Sequence, residues 1–479
     1  MKKNLKRCAA ALMASALGLS LAACGSSADS GSQAAGDGAG AEAPADASGK
    51  DDSAKDEGAS TDGVTEITFW HSMDGVFSEV TEKQVAQFND TIGKEKNIHV
   101  TPVFQNWPGT DALSAAMSTD DIANMPDVIQ LYSESVNLIR DYKRTVWAED
   151  MLSADGTTLK KEDLMPGAAA EYSIGGKMIG VPWTASALLL YYNQDYLTQA
   201  GVEVPKTIAE MAEILPALKD KTDAEYGLNV RINQFELENW IETQGASGSE
   251  FGNNGNGHDG YITEFAAASN GTLDKFLTEW EKVVKSGAYK ATRDSINEEF
   301  AQGMHAMVIM TSSRIPTIDE LVGDSFEWGV AAIPTVSADD IGGAYPSGSG
   351  LFMLDRDDDA KKAAAWEFVQ YMASPEAQAM WADGTGYTPV NTKTLELDSY
   401  KAALEAQPKL QVPYDVLMQS GSSVIPAFIP NNGTVDTVIK DAMLSFGDGS
   451  VSKDDTKTAI SDGVSKALED YYRANPIEE

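Results

Sequence analysis

Thr65-Glu66-Ile67-Thr68-Phe69-Trp70 decides the fold class: polar and apolar residues alternate, as in a strand with one face in a core. Asp74 and Gly75 then open a helix whose Phe77, Val80, Val85 and Phe88 fall at near-helical spacing. Residues 98–104 read as a second strand, 111–117 as a short helix and 127–132 as a third strand. Further on, 188–193 is a strongly apolar strand, 208–218 and 273–286 are helical, and 306–310, 328–334 and 350–354 return as strands. Strands alternating with helices predict an α/β fold of mostly parallel sheets covered on both faces. In such sheets ligands sit beyond the carboxyl ends of the strands. That makes His71, Ser72, Met73, Trp107, Ser133 and Glu134 the first suspects. The Asp run 355–359 lacks the turn glycine and closing glutamate of a calcium loop, and reads as the capped start of a helix over 360–373.

The 479 residues suit two or three domain-sized units. Acidic residues outnumber basic ones by 73 to 36, a formal charge of −37 that repels nucleic acid and anionic membrane surfaces. Neither is expected as a partner. Cys8 and Cys24 are the only cysteines, so the body has neither disulfide nor thiolate metal site, and no metal or cofactor is expected.

The first residues set the compartment. Lys2, Lys3, Lys6 and Arg7 precede an almost wholly small or apolar run to Ala23, the layout of a secretory signal peptide over 1–23. Leu21-Ala22-Ala23-Cys24-Gly25 looks like a bacterial lipobox, in which Cys24 becomes the lipidated first residue. Residues 24–64 are mostly Ser, Gly, Ala and Asp, too polar to bury a core, and are expected to form a disordered tether. Beyond residue 64 no apolar run nears the ~20 residues of a membrane span. The expected location is the extracellular face of a bacterial membrane, held by the lipid anchor only.

Phe69-Trp70-His71-Ser72-Met73 after the first strand resembles the opening of the glycerol-3-phosphate-binding branch of the bacterial family 1 solute-binding proteins, relatives of the maltose-binding proteins. Further segments agree in order: Pro182-Trp183-Thr184-Ala185-Ser186 leading to Tyr191-Tyr192-Asn193; Phe300-Ala301-Gln302-Gly303 before Thr311-Ser312-Ser313; and Gly329-Val330 before Ile333-Pro334. Ala364-Ala365-Trp366 before Ser374-Pro375-Glu376, and Thr385-Gly386-Tyr387-Thr388-Pro389, complete the series. The resemblance implies a two-lobed, type II periplasmic-binding-protein-like fold with ligand in the interlobe cleft and hinge closure around it. By analogy one lobe spans 65–186 and 330–373, the other 187–329 and 374–479. The implied role is that of a monomeric solute-binding lipoprotein of an ABC importer, delivering a sugar to permease and ATPase subunits.

The resemblance carries binding positions onto Ser186, Ser312, Gly348 and Tyr387, groups that suit a polyol. Three positions depart from the branch. Ser133 stands for an expected carboxylate, with Glu134 adjacent; Arg231 stands for an aromatic; and Ile429 stands for an arginine suited to phosphate. That last loss turns the expected ligand from glycerol-3-phosphate or a glycerophosphodiester toward a neutral oligosaccharide, unless Arg231 or Arg314 supplies the charge. Trp70 and Trp183 follow strands and suit cleft or core, whereas Trp107, in an Asn-Trp-Pro-Gly turn, suits stacking on a sugar. Trp240 and Trp366 lie in helical runs and suit the core, and at most one of Tyr191 and Tyr192 faces the cleft. His71 has no metal partner at a recognisable spacing, so a structural hydrogen bond suits it. A secreted glycoside hydrolase needs paired carboxylates, yet no Gly-x-Ser-x-Gly elbow, His-Glu-x-x-His helix or phosphate loop marks an enzyme here. The Gly/Asn-rich stretch 252–260 reads as a loop.

Overall fold

The computed structural model describes residues 63–245 and 250–477. The expected signal peptide, Cys24 and the expected tether up to residue 62 lie outside them. In chain order the strands are β1 (Thr65–His71), β2 (Ile98–Phe104), β3 (Val128–Tyr132), β4 (Thr145–Val146), β5 (Ser173–Ile174), β6 (Lys177–Met178) and β7 (Val181–Pro182). There follow β8 (Leu188–Asn193), β9 (Tyr226–Asn229), β10 (Tyr289–Lys290), β11 (His305–Thr311), β12 (Trp328–Ala332) and β13 (Ser349–Leu354).

Two sheets result. The first runs β2-β1-β3-β13-β4, with β7 also on β13; the second runs β10-β9-β11-β8-β12. Within each, one strand opposes the rest: β13 is antiparallel to β3, β4 and β7, and β8 is antiparallel to β11 and β12. The reversed strand of each lobe is the one that follows a crossing from the other lobe, which is why the sheets are mixed and not purely parallel. Alternation along the strands feeds two core layers per sheet. Leu188 and Leu190 of β8 enter one cluster and Leu189 and Tyr191 the other, while Leu351 and Met353 of β13 are separated likewise from Phe352 and Leu354.

Three crossing segments lie side by side. Ser186 pairs with Ser347, and Ala185 with Thr388. A fourth passage, at residues 427–429, puts Phe428 in a first-lobe cluster and Ala427 and Ile429 in the second-lobe core.

Two boundaries fall elsewhere than expected. β12 continues to Ala332 beside β8, so the second lobe does not end at 329. The Pro375–Thr385 helix buries Ala377 and Trp381 in the first-lobe core, and Gln84 Nε2 donates to the Ala377 carbonyl at 2.8 Å. Its neighbour Asp398–Ala406 packs on the same helix through Tyr400. Residues from 374 to about 406 therefore lie with the first lobe: Ala377 and Trp381 face its core, and Ala379 and Ala382 on another side of the helix receive Tyr400. The 355–359 run caps its helix, with Asp358 accepting from the Ala360 and Lys361 amides.

Candidate functional site

The cleft between the lobes is lined from the first lobe by the turns after β1, β2 and β3, which bring Ser72, Met73, Asp74, Trp107, Ser133 and Glu134 to one wall with Phe77, Tyr132 and Tyr387. The facing wall comes from the start of the Gln234–Glu242 helix, the end of β11 and the second crossing: Phe235, Glu238, Ser313, Arg314, Tyr345 and Gly348. Asn233 caps that helix by accepting from the Phe235 amide, and Glu236 reaches back to the Asn233 amide, which fixes the direction in which Phe235 and Glu238 project. Asn432 and Asp436, at the start of the Asn432–Gly447 helix, and Ala427 complete the lining.

Six of the eleven residues expected to hold ligand meet here: Trp107, Ser133, Glu134, Ser186, Gly348 and Tyr387. The other five lie elsewhere, for legible reasons. Trp183 is 0% exposed between Phe69 and Trp381, with ring centroids 5.8 and 4.9 Å away. Trp70 is half-buried against the other face of the first sheet. His71 is buried and neutral, held to about pKa 4 by loss of solvent; its Nδ1 accepts from the Met73 amide at 3.3 Å. Ser312 ties β8 to the segment after β11, its hydroxyl accepting from the Ala187 amide at 3.1 Å, and the next residue, Ser313, faces the cleft instead. Arg231 is half-buried within the electrostatic reach of Glu236 and Asp436, off the cleft wall. Neither Tyr191 nor Tyr192 lines the cleft: Tyr191 is fully buried and donates to the Thr311 carbonyl at 2.8 Å, and Tyr192 covers Gly329. Trp240 and Trp366 are core residues whose indole nitrogens donate to the Pro334 carbonyl and to Thr157 Oγ1.

Asp74, Asn233, Phe235, Glu238, Arg293, Tyr345, Asn432 and Asp436 joined the site without having been candidates. All but Glu238, which is mid-helix, sit in loops or the first turns of helices, where periodicity carries little signal. The Asn233-x-x-Glu236 capping box was the one readable clue to the most populated of these segments.

The cleft is acidic and aromatic. Burial raises the carboxyls of Glu134 and Asp436 above the ordinary range and pushes Glu238 up to about 7. Glu238 is held by the Ala427 amide and by Gln234 Nε2 at 3.1 Å. Glu171, beside Tyr172 and Ser133, is 1% exposed, and burial raises its carboxyl strongly. Arg293 lies 3.6 Å from Glu236, so its charge is already answered in part. Trp107 packs on Tyr132 at 6.0 Å, and Phe235 meets Tyr345 edge-on at 5.6 Å. Trp107 Nε1 and Asn432 Oδ1, a donor and an acceptor, are buried without a partner among the described residues. Aromatic faces beside carboxylate, amide and hydroxyl groups can hold a ligand with many hydroxyls by stacking on its C–H faces. Among the described residues no cluster of His, Cys, Asp and Glu suits a metal ion, and no helix is long and apolar enough to cross a membrane.

Glu238 gives a pH prediction. The folded protein keeps a proton that the unfolded chain releases between about pH 4.5 and 7, so this group costs stability as pH rises through that window. Glu238→Gln should match wild type near pH 4.5 and gain roughly 2–3 kcal/mol on it by pH 8. Urea unfolding at four pH values checks this, and an offset independent of pH would contradict it.

Known proteins place the chain. Residues 83–408 match the family of bacterial extracellular solute-binding proteins. The chain is 25% identical over 360 residues to the sn-glycerol-3-phosphate-binding periplasmic protein UgpB of Agrobacterium fabrum, covering 73% of this chain and 79% of that one. It is 25% identical over 364 residues to its counterpart in Escherichia coli K12, covering 73% and 80%. Among solved structures, the sugar-binding protein MalE of Xanthomonas citri superposes with a TM-score of 0.71 at 21% identity, over 87% of this chain and all of that one. UgpB of Mycobacterium tuberculosis, in complex with glycerophosphocholine, gives 0.66 at 21% identity, over 85% and 99%. With most of the body inside one family match, and the same two-lobed fold in these structures, the chain belongs to the bacterial extracellular solute-binding proteins.

Proposed function

We propose that this protein is the capture component of an ABC importer, anchored outside the cell through Cys24, and that its solute is a neutral oligosaccharide. It binds without turning its solute over, works as a monomer, and hands the sugar to the permease and ATPase subunits. The composition of the cleft carries this reading: Trp107, Phe235, Tyr345 and Tyr387 surround Glu134, Glu238 and Asp436. A phosphate dianion would have to sit among these carboxyls, whereas sugar hydroxyls donate to them. Ile429, where the related branch has an arginine, is 1% exposed in the second-lobe core and supplies no charge.

A glycerophosphodiester is the second reading, favoured by Arg293 and Arg314 on the cleft wall and by the ligands for which the UgpB relatives are named. Calorimetric titration with maltose, maltotriose and branched oligosaccharides, against sn-glycerol-3-phosphate and glycerophosphocholine, separates the two. Micromolar or tighter binding of a neutral oligosaccharide with no heat from the phosphates is expected. Heat from the phosphates alone would reverse the ligand assignment, and cleavage products in the same mixtures would defeat the binding role. Trp107→Ala should weaken the sugar that binds by about 10- to 100-fold, the stacking share of ~1–3 kcal/mol.

A further inference from the structure

The Gly/Asn-rich stretch is a wound structure with a definite shape. Asn254, Gly255, Asn256 and Gly257 have φ of 56°, 57°, 57° and 87°, a run of left-handed backbone that only glycine and asparagine tolerate readily. The turn is rooted in the second lobe: Phe251 and Ile262 on either side of it are core residues there, and the Phe251 amide donates to Glu242 Oε1 at 2.7 Å. Its outer side grips the first lobe. Arg140, which follows the Val136–Ile139 helix, donates from Nη1 to the carbonyls of Gly257 and Gly260 at 3.1 and 3.0 Å, and its guanidinium covers the Tyr261 ring at 4.4 Å. The Gly175 amide, between β5 and β6, donates to the His258 carbonyl at 2.8 Å.

His258 connects this grip to the cleft. Its Nδ1 lies 2.7 Å from the Ser173 carbonyl in the first lobe, and its Nε2 2.9 Å from the carbonyl of Pro426. The neutral ring donates to one of these and the protonated ring to both. The ring also lies tilted against Phe428 with centroids 4.0 Å apart, and the Phe428 amide donates to the Asn256 carbonyl at 2.9 Å. Pro426 and Ala427 line the cleft, and Ala427 is the residue whose amide holds Glu238.

We infer that the 252–261 turn is a latch across the two lobes, and that Arg140 and His258 are positioning residues for the ligand cleft. The latch fixes how far the lobes stand apart and sets the 426–428 passage that presents Ala427 to Glu238. The inference rests on capture by closure of the lobes, but not on the identity of the solute. Weakening the latch shifts the free protein toward an open form before any ligand arrives, so apparent affinity falls in proportion to the fraction that remains closed.

Hydrogen exchange and small-angle scattering of the ligand-free protein test this without a ligand. In Arg140→Met, exchange at the Gly175 and Phe428 amides should rise at least tenfold with β8 amides such as Leu190 unchanged, and the radius of gyration should increase. Arg140→Lys, which keeps a donor, should fall between. His258→Ala gives a second route should the first variant fold poorly. Exchange that stays at wild-type rates in both variants, or that rises equally in β8, would overturn the latch, as would an unchanged radius of gyration. Failure of every sugar to bind wild type would instead defeat the solute assignment and leave these distances as they are.

Discussion

Trp183→Ala is expected to lower the unfolding free energy by about 4 kcal/mol, within the ~3–5 kcal/mol typical of an aromatic removed from a core. The indole is 0% exposed, edge-on to Phe69 and tilted against Trp381, and the Trp183 carbonyl accepts from Gln378 Nε2 at 2.9 Å. Nothing nearby can collapse into the space, because the crossing strand and the Pro375–Thr385 helix are pinned by that bond and by the Trp183 amide's bond to Ser349. Urea unfolding gives the stability. Calorimetry at low temperature, where the variant stays folded, should show ligand affinity within threefold of wild type. A loss of affinity beyond tenfold with little change in stability would return the ring to the cleft.

The second large effect comes from one added methyl group. In Gly348→Ala the new Cβ would stand 1.9 Å from the Thr184 carbonyl oxygen, which is backbone and cannot rotate away. Gly348 and Thr184 belong to two adjacent crossing segments, joined by the Thr184 amide's bond to the Ser349 carbonyl at 3.1 Å. The two must part by about 1.5 Å to restore ordinary contact, which costs roughly 1–3 kcal/mol of stability. The same parting displaces Ser186, Ser347 and Gly348, all on the cleft wall. Ligand affinity should fall at least 100-fold, about 3 kcal/mol. Titration calorimetry reads it, and near-wild-type affinity would show that the crossing is pliable and that Gly348 is dispensable.

The layered fold was legible because strand and helix periods leave a mark on a single sequence. β2 and β8 fall at the expected residues, and helix ends elsewhere differ by one to three residues. The reversed strand in each sheet was not legible, since direction depends on which lobe the chain has just left. Within the site, the turns after β1, β2 and β3 were readable from sheet geometry alone, and Trp107 with Glu134 followed. Ser312 and Ser313 show the limit of that approach: β11 runs to Thr311, and one residue of phase decides which hydroxyl meets the backbone and which meets the cleft. The opposite wall was hidden because Asn233, Glu238, Tyr345 and Asp436 are brought together by three separate segments of chain. Likewise, the left-handed turn at 254–257 explains a composition that sequence alone assigns to any loop.

The reversed strand of the first sheet has a consequence for biogenesis. The edge of β3 is completed only by β13, where Ser349 pairs with Tyr132, about 220 residues later in the chain. A nascent chain threading outward through an export channel thus presents a half-built sheet with an unpaired edge until nearly three quarters of it has emerged. Such an edge is a template for unwanted pairing, and contacts this distant in sequence form slowly. The first lobe cannot mature alone during export, so a chain interrupted anywhere before β13 should accumulate as a protease-sensitive or aggregating species and never as a folded first lobe.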